Sequence, residues 1–174
     1  MLPPHAPPSF SDRSTLWNSV EQTEKSNNSQ LAREIELALP VELSREEQTR
    51  LVREYCSSQF VSKGMCADFN IHDTGSGNPH AHILLTMRPL DEKGAWAAKS
   101  KKEYVLDESG EKILLPSGRY KTRKIDLMDW NRQENADLWR KAWADMANDF
   151  LEQNGSAERI DHRSNAERGI DEIP

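Results

Sequence analysis

Two strand-like segments joined by a turn-rich loop carry three of the five histidines of this chain. The segments run from residue 67 to 72 and from 80 to 87, and the loop between them holds two glycines and a proline. This pattern predicts an antiparallel pair of strands. Because alternate side chains of a strand share a face, His80 and His82 are expected to project together, and the neighbouring strand brings His72 onto the same face.

Three imidazoles that converge from adjacent strands are typical of a catalytic metal site, because they leave coordination positions open for water or a phosphate oxygen. The spacing therefore predicts that His72, His80 and His82 bind a divalent metal. Histidines two apart also occur on ordinary solvated strand faces, and short motifs produce false positives. From spacing alone, the metal site and the solvated strand face remain equally open.

The composition limits the class of protein. With 174 residues, of which 36% are hydrophobic and 30% charged, the chain is large enough for one domain but polar enough to carry exposed segments. It contains no apolar run of about eighteen residues, so no membrane span is expected. The first residues show no secretory signal pattern. Cys56 and Cys66 lack metal-type spacing and are expected to be reduced thiols, which indicates a cytoplasmic protein.

The distribution of charge is more informative than the net charge of −6. Residues 88–124 hold ten basic and six acidic residues, a local balance of +4, whereas the rest of the chain has a balance of −10. A polyanion that approached the histidines would meet this basic stretch. The alternative is an ordinary solvated surface, which charge alone slightly favours. The candidate polyanion-binding residues are Arg88, Lys99, Lys101, Lys102, Lys121, Arg123 and Lys124.

The remaining patterns predict an α+β domain, in which an antiparallel β-sheet is covered by helices. The predicted elements are a helix at 12–25 capped by Ser11, a strand at 34–39, a helix at 44–63, a hairpin from 103–106 and 112–115, and a long helix at 126–154. Ser44 and Glu47 form a capping-box pattern. Residues 1–10 are expected to be extended, and residues 158–174 to form a charged tail. Glu34 and Glu36 share a strand face and could orient a histidine.

Several stretches of the chain resemble the MobA/MobL plasmid-mobilisation relaxases of the HUH endonuclease superfamily. The resemblance covers nearly the whole chain. It is carried by His72 with Asn78-Pro-His-Ala-His-Ile83, by residues 10–18, 30–40 and 84–90, by Trp139 to Trp143, and by Ile160-Asp-His-Arg-Ser164. It implies an HUH relaxase-like sheet and raises the expectation that the three histidines bind a metal.

The resemblance also implies an activity. Enzymes of this family cut one strand of plasmid DNA at a transfer origin, through a tyrosine that becomes linked to the 5′-phosphate. The implied cofactor is a divalent metal, Mn²⁺ or Mg²⁺, and the implied partners are single-stranded plasmid DNA and accessory mobilisation proteins. Glu36, and less directly Glu34, matches the position of an acidic residue that could hold a metal-bound histidine. The seven basic residues would then contact the DNA.

The family's nucleophilic tyrosine is not matched in this sequence. It lies upstream of the segment at which the chain begins, so the first strand and the tyrosine are expected to be missing. Tyr55, Tyr104 and Tyr120 lack the family context. The chain is therefore expected to be a truncated relaxase domain with an unpaired sheet edge. The alternatives are a single-stranded DNA-binding module without catalysis and an unrelated three-histidine metal hydrolase.

Overall fold

The computed structural model describes residues 1–75 and 77–171 and confirms the α+β class. Its helices are α1 (Arg13–Thr23), α2 (Arg45–Gln59) and α3 (Glu134–Gln153), and its strands are β1 (Ala32–Ala38), β2 (Ala67–His72), β3 (His80–Thr86), β4 (Ser100–Tyr104) and β5 (Thr122–Asp126). Short 3₁₀ helices occupy Pro8–Ser11 and Val61–Lys63. No helix in the described ranges is both long enough and apolar enough to cross a bilayer.

The three-stranded sheet has β3 at its centre, with β1 and β2 antiparallel on either side. Its strands alternate, as the sequence predicts: Ala81, Ile83 and Leu85 on β3 are fully buried, whereas His80 and His82 are partly exposed. In this register, His72 lies opposite His80 and Glu36 lies opposite His82. The central strand therefore presents its histidines on the face opposite the core.

Helices α2 and α3 cover the apolar face of the sheet. The predicted capping box is present, since Ser44 Oγ accepts from the Glu47 amide and the Glu47 carboxylate accepts from Ser44 N–H. The Tyr55 hydroxyl donates to the carbonyl of Trp139 on α3 at 3.0 Å, and the Tyr55 ring packs edge-on against Trp143. These contacts join the two helices in one core beneath the sheet.

The N-terminal segment differs from its prediction. Residues 1–10 are predicted to be extended, but they contain turns and the beginning of a 3₁₀ helix, because Phe10 stacks on Trp96 at 5.4 Å and orders the chain. Helix α1 is capped by Asp12 rather than by Ser11, whose hydroxyl donates instead to Pro8 O. This segment and α1 form a second, smaller core with Leu90.

The basic stretch forms a two-stranded ribbon that the sequence predicts only in part. The longest ladder joins β4 to β5, whereas the predicted pairing of 103–106 with 112–115 is reduced to a bridge between Leu106 and Lys112 and a hydrogen bond from Ile113 N–H to Val105 O. Because residues 122–126 belong to this ladder, α3 begins at Glu134 rather than at residue 126. The described part of the predicted tail, residues 158–171, contains turns and no regular helix or strand.

Candidate metal site and its surroundings

The rings of His72, His80 and His82 meet on the open face of the sheet. Their centroids lie 4.7 to 5.5 Å apart, and one ligand nitrogen from each ring lies within 4.8 Å of the other two. His72 is exposed and the other two are partly buried, so the triangle is open to solvent. The structure therefore brings together the three histidines that the spacing selects.

Hydrogen bonds orient two of these rings. Nδ1 of His80 lies 2.9 Å from the carbonyl oxygen of Asn78, and Nδ1 of His82 lies 2.8 Å from Oε1 of Glu34. Both partners accept only, so each Nδ1 carries the proton and leaves the Nε2 lone pair available as a ligand. The donor set, three imidazoles of which two have a fixed tautomer, suits a divalent transition metal.

The acidic partner of His82 is Glu34 rather than its directly opposite neighbour, Glu36. Glu34 reaches diagonally across the β1–β3 ladder, which is within the range of a long side chain. Among the described residues, Glu36 makes no hydrogen bond to any of the three histidines. The sequence places both glutamates on the correct face but does not determine which of them reaches the ring.

Two of the seven candidate DNA-binding residues are engaged in a buried ion pair. Arg88 Nε and Lys99 Nζ lie 2.7 and 2.8 Å from Oε1 of Glu24, whose side chain is only 3% exposed. Burial raises the pKa of Glu24, but the hydrogen bonds from both cations outweigh it and hold the pKa below its usual value. Sequence reasoning missed Glu24, because its two partners lie more than sixty positions away in the chain.

The other five candidates lie on or beside the β4–β5 ribbon. Arg123 pairs with Glu103 at 2.9 Å and Lys124 with Asp126 at 2.7 Å, both in exposed positions. Three exposed lysines have no ion pair among the described residues, namely Lys101, Lys102 and Lys121. The ribbon thus provides three unpaired lysines. An anion could bind its other two cations, Arg123 and Lys124, only by replacing an exposed carboxylate partner.

A comparison with known protein families identifies the family of this chain. The model of the MobA/MobL family matches residues 1–174, the full length of the chain. The chain belongs to the MobA/MobL family. The resemblance carried by the histidine motif is therefore confirmed.

Individual MobA/MobL relatives extend the comparison. The chain is 35% identical, over its whole length, to the probable mobilization protein MobA of Bifidobacterium longum, and 38% identical over 91% of its length to the conjugal transfer protein TraA of Agrobacterium fabrum. It spans 33% and 14% of those proteins. A solved structure from work on the molecular basis of vancomycin resistance transfer in Staphylococcus aureus is 35% identical, with a TM-score of 0.76 over 94% of this chain and 73% of that one.

The three tyrosines of this MobA/MobL chain lie in two different environments. Tyr55 is fully buried, and this burial, together with the nearby Cys56, raises the pKa of its phenol far above the usual range. Tyr104 and Tyr120 are half-exposed on the ribbon, where their rings meet edge to face at 5.8 Å. The ammonium group of Lys112 lies 4.1 Å from the centre of the Tyr104 ring and covers one face of that ring.

Proposed function

We propose that this domain binds a divalent metal, Mn²⁺ or Mg²⁺, through His72, His80 and His82, and uses it to hold a phosphodiester of single-stranded DNA during plasmid mobilisation. The convergence of the three rings on an open sheet face carries this proposal. Membership of a family whose relatives are named mobilisation and conjugal transfer proteins gives its biological setting.

The chemistry of the site suits a phosphodiester. Three neutral imidazoles leave the charge of a bound ion undiminished, and such an ion polarises a non-bridging phosphate oxygen and offsets the charge of the transition state. The protein's own contribution is orientation. Glu34 and the Asn78 carbonyl hold the Nδ1 atoms of two rings and leave Nε2 of each ring as the ligand atom, so little reorganisation would be needed when the site is filled.

The tyrosine environments favour DNA binding over strand transfer by this chain's own residues. A covalent phosphotyrosine link needs a phenol that reaches the metal-held phosphate and loses its proton. The Tyr55 hydroxyl donates a hydrogen bond to Trp139 O inside the core, and the Tyr104–Tyr120 pair lies on and beside the β4–β5 ribbon, a separate sheet. These environments therefore favour a second candidate function, a non-catalytic module that binds single-stranded DNA without cutting it.

An adduct assay separates these functions. The chain is incubated with Mn²⁺ and a single-stranded oligonucleotide that spans the transfer origin of the plasmid, and the products are resolved on a denaturing gel. We expect salt-sensitive binding of intact DNA without a protein–DNA adduct. An adduct that disappears in a Tyr55→Phe, Tyr104→Phe or Tyr120→Phe variant would show strand transfer by this chain and overturn the non-catalytic assignment. Cleavage without an adduct would indicate a metal hydrolase.

A further inference from the structure

Two further side chains lie beside the histidine triangle on the open face of the sheet. Asn70 lies directly across the β2–β3 ladder from His82, and Leu84 follows His82 by two positions on β3. Because alternate residues of a strand share a face, both side chains project from the same face as the His82 ring. Asn70 is exposed and Leu84 is partly exposed. These two residues are called the Asn70–Leu84 patch.

Leu84 is an apolar side chain that lies outside both hydrophobic cores. Within the described part of the chain, it packs against neither the core beneath the sheet nor the smaller core around α1. Its direct neighbours across the two ladders are polar, Glu34 on β1 and Asp68 on β2. A ligand with an apolar surface would therefore gain free energy by covering the exposed part of Leu84.

The Asn70 side chain is not engaged by the rest of the protein. Its carboxamide forms no hydrogen bond within residues 1–75 and 77–171. A carboxamide offers an acceptor oxygen and two N–H donors in one plane. This combination matches the edge of a nucleobase, and adenine in particular, with which asparagine forms two parallel hydrogen bonds.

The charges around the patch favour a nucleobase over a second phosphate. Three carboxylates border it, those of Glu34, Glu36 and Asp68. Glu34 accepts from Nδ1 of His82, and Asp68 is paired with Arg13 at 2.7 Å. An ion held by the histidines would attract one phosphate, but these carboxylates would repel another phosphate placed over the patch. A nucleobase is neutral and meets no such repulsion.

We propose that Asn70 and Leu84 form a subsite for the nucleobase next to the metal-held phosphate, with Leu84 against the face of the base and the Asn70 carboxamide on its edge. Adenine is the preferred base. The inference rests on the proposed function, because the ion fixes the phosphate from which the base reaches the patch. It also requires an unpaired base, since the edge that Asn70 contacts and the face that Leu84 covers are open only in a single strand.

The probes are fluorescein-labelled thymidine hexamers whose fourth base is adenine, cytosine or thymine. Their binding to the full chain is measured by fluorescence anisotropy in Mn²⁺ and again in EDTA. In Mn²⁺ we expect the adenine hexamer to bind at least about fivefold more tightly than the all-thymidine hexamer, the low end for a bidentate contact to a base. In EDTA the hexamers should bind equally, because no ion then fixes the phosphate beside the patch.

Variants of Asn70 test the contact to the base edge. Asn70→Ala should abolish the adenine preference, whereas Asn18→Ala, which removes an exposed carboxamide from α1, should retain it. Asn70→Asp should transfer the preference to the cytosine hexamer, because a carboxylate accepts from the cytosine amino group and repels the adenine ring nitrogen.

A variant of Leu84 tests the contact to the face of the base. Leu84→Ala should weaken all three hexamers in Mn²⁺ by a similar factor, because this contact does not depend on the sequence. Leu138→Ala, which removes an exposed leucine from α3, is the control and should leave their affinities unchanged.

Titration of the wild type and of Asn70→Ala with Mn²⁺ alone separates the subsite from the metal site. Equal affinities for the three hexamers in Mn²⁺, or equal effects of Asn70→Ala and Asn18→Ala, would overturn the subsite and leave the metal function in place. So would an adenine preference that persists in EDTA, or a loss of Mn²⁺ affinity in Asn70→Ala. Failure of the wild type to bind Mn²⁺ would refute the proposed function, and the subsite with it.

Discussion

The carboxylate of Glu34 accepts a hydrogen bond from Nδ1 of His82 at 2.8 Å, diagonally across two strands of the sheet. This contact fixes the tautomer of a candidate metal ligand. We expect Glu34→Ala to lower metal affinity about tenfold, the typical effect of removing a residue that orients a ligand. Glu36→Ala is the matched control, since it removes a glutamate from the same face of the same strand. Isothermal titration with Mn²⁺ measures both, and equal losses would contradict the role assigned to Glu34.

The histidine triangle predicts a larger loss when a ligand itself is removed. His80→Ala should lower Mn²⁺ affinity by at least about tenfold, because two ligands hold the ion less well than three. His162→Ala, which removes a histidine outside the triangle, should leave affinity unchanged. Unchanged binding by the His80 variant, measured by the same titration, would refute the ligand assignment.

The buried Glu24 ion pair predicts a stability effect that depends on pH. Glu24→Gln leaves Arg88 and Lys99 without their shared partner and should cost roughly 2–3 kcal/mol in the free energy of unfolding. Because the pKa of Glu24 is lowered by folding, its contribution is present above the unfolded pKa of about 4.3 and is lost as pH falls through the folded value.

Urea denaturation at pH 7 and in acid tests this prediction. The difference between wild type and Glu24→Gln should shrink on acidification. Glu103→Gln, which removes the exposed partner of Arg123, serves as the control and should cost less than about 1 kcal/mol. Equal costs for the two variants would argue against a structural role for the buried pair.

The buried thiols predict a loss of stability in alkali. Burial raises the pKa of Cys56 to about 12 and that of Cys66 to about 11, whereas an unfolded thiol ionises near 8.5. The stabilisation is therefore complete below that unfolded value and is lost as pH rises toward the folded values. Denaturation between pH 7 and 11 should show a smaller decline in a Cys56→Ala/Cys66→Ala variant, and parallel curves would contradict this origin.

The unpaired lysines of the ribbon predict the salt dependence of DNA binding. If Lys101 and Lys102 contact phosphates, each change to Gln should reduce the slope of log affinity against log salt by about 0.7, the single-strand value per released counterion. Lys63→Gln removes the same charge outside the ribbon and should leave the slope unchanged. Fluorescence anisotropy with a thymidine 20-mer measures these slopes, and equal effects of all three changes would indicate that only net charge matters.

Short-range sequence patterns predict those parts of the fold that depend on residues close together in the chain. The capping box of Ser44 with Glu47 and the alternation of β3 depend on residues a few positions apart, so they can be recognised in the sequence. The choice of Glu34 over Glu36, and the capture of Arg88 by Glu24, depend on contacts across 48 and 64 positions. The sequence pattern predicts no strand at residues 122–126 and begins the long helix at residue 126, because the pairing of Thr122–Asp126 with β4 leaves little hydrophobic pattern in a largely exposed ribbon.

The position of β1 at the edge of the sheet is a second feature that short-range sequence patterns do not predict. Short-range patterns do not determine which strand lies at the edge of the sheet, here β1 among the described residues, nor that Trp139 on α3 lies beside it with a buried Nε1 that has no acceptor in the described part of the chain. Strand order is a property of the assembled sheet, and no short-range pattern in residues 32–38 determines it.

His72 pairs with His80 directly across the β2–β3 ladder. The distance between these two rings therefore does not depend on the length of the loop that joins the strands. Insertions after Asp73 would lengthen the connection without shifting either strand, provided that Asn78 and its carbonyl remain in place. The loop is thus a site at which a fluorophore tag or a recognition peptide could be grafted beside the three histidines, to report whether a metal binds there without changing their register.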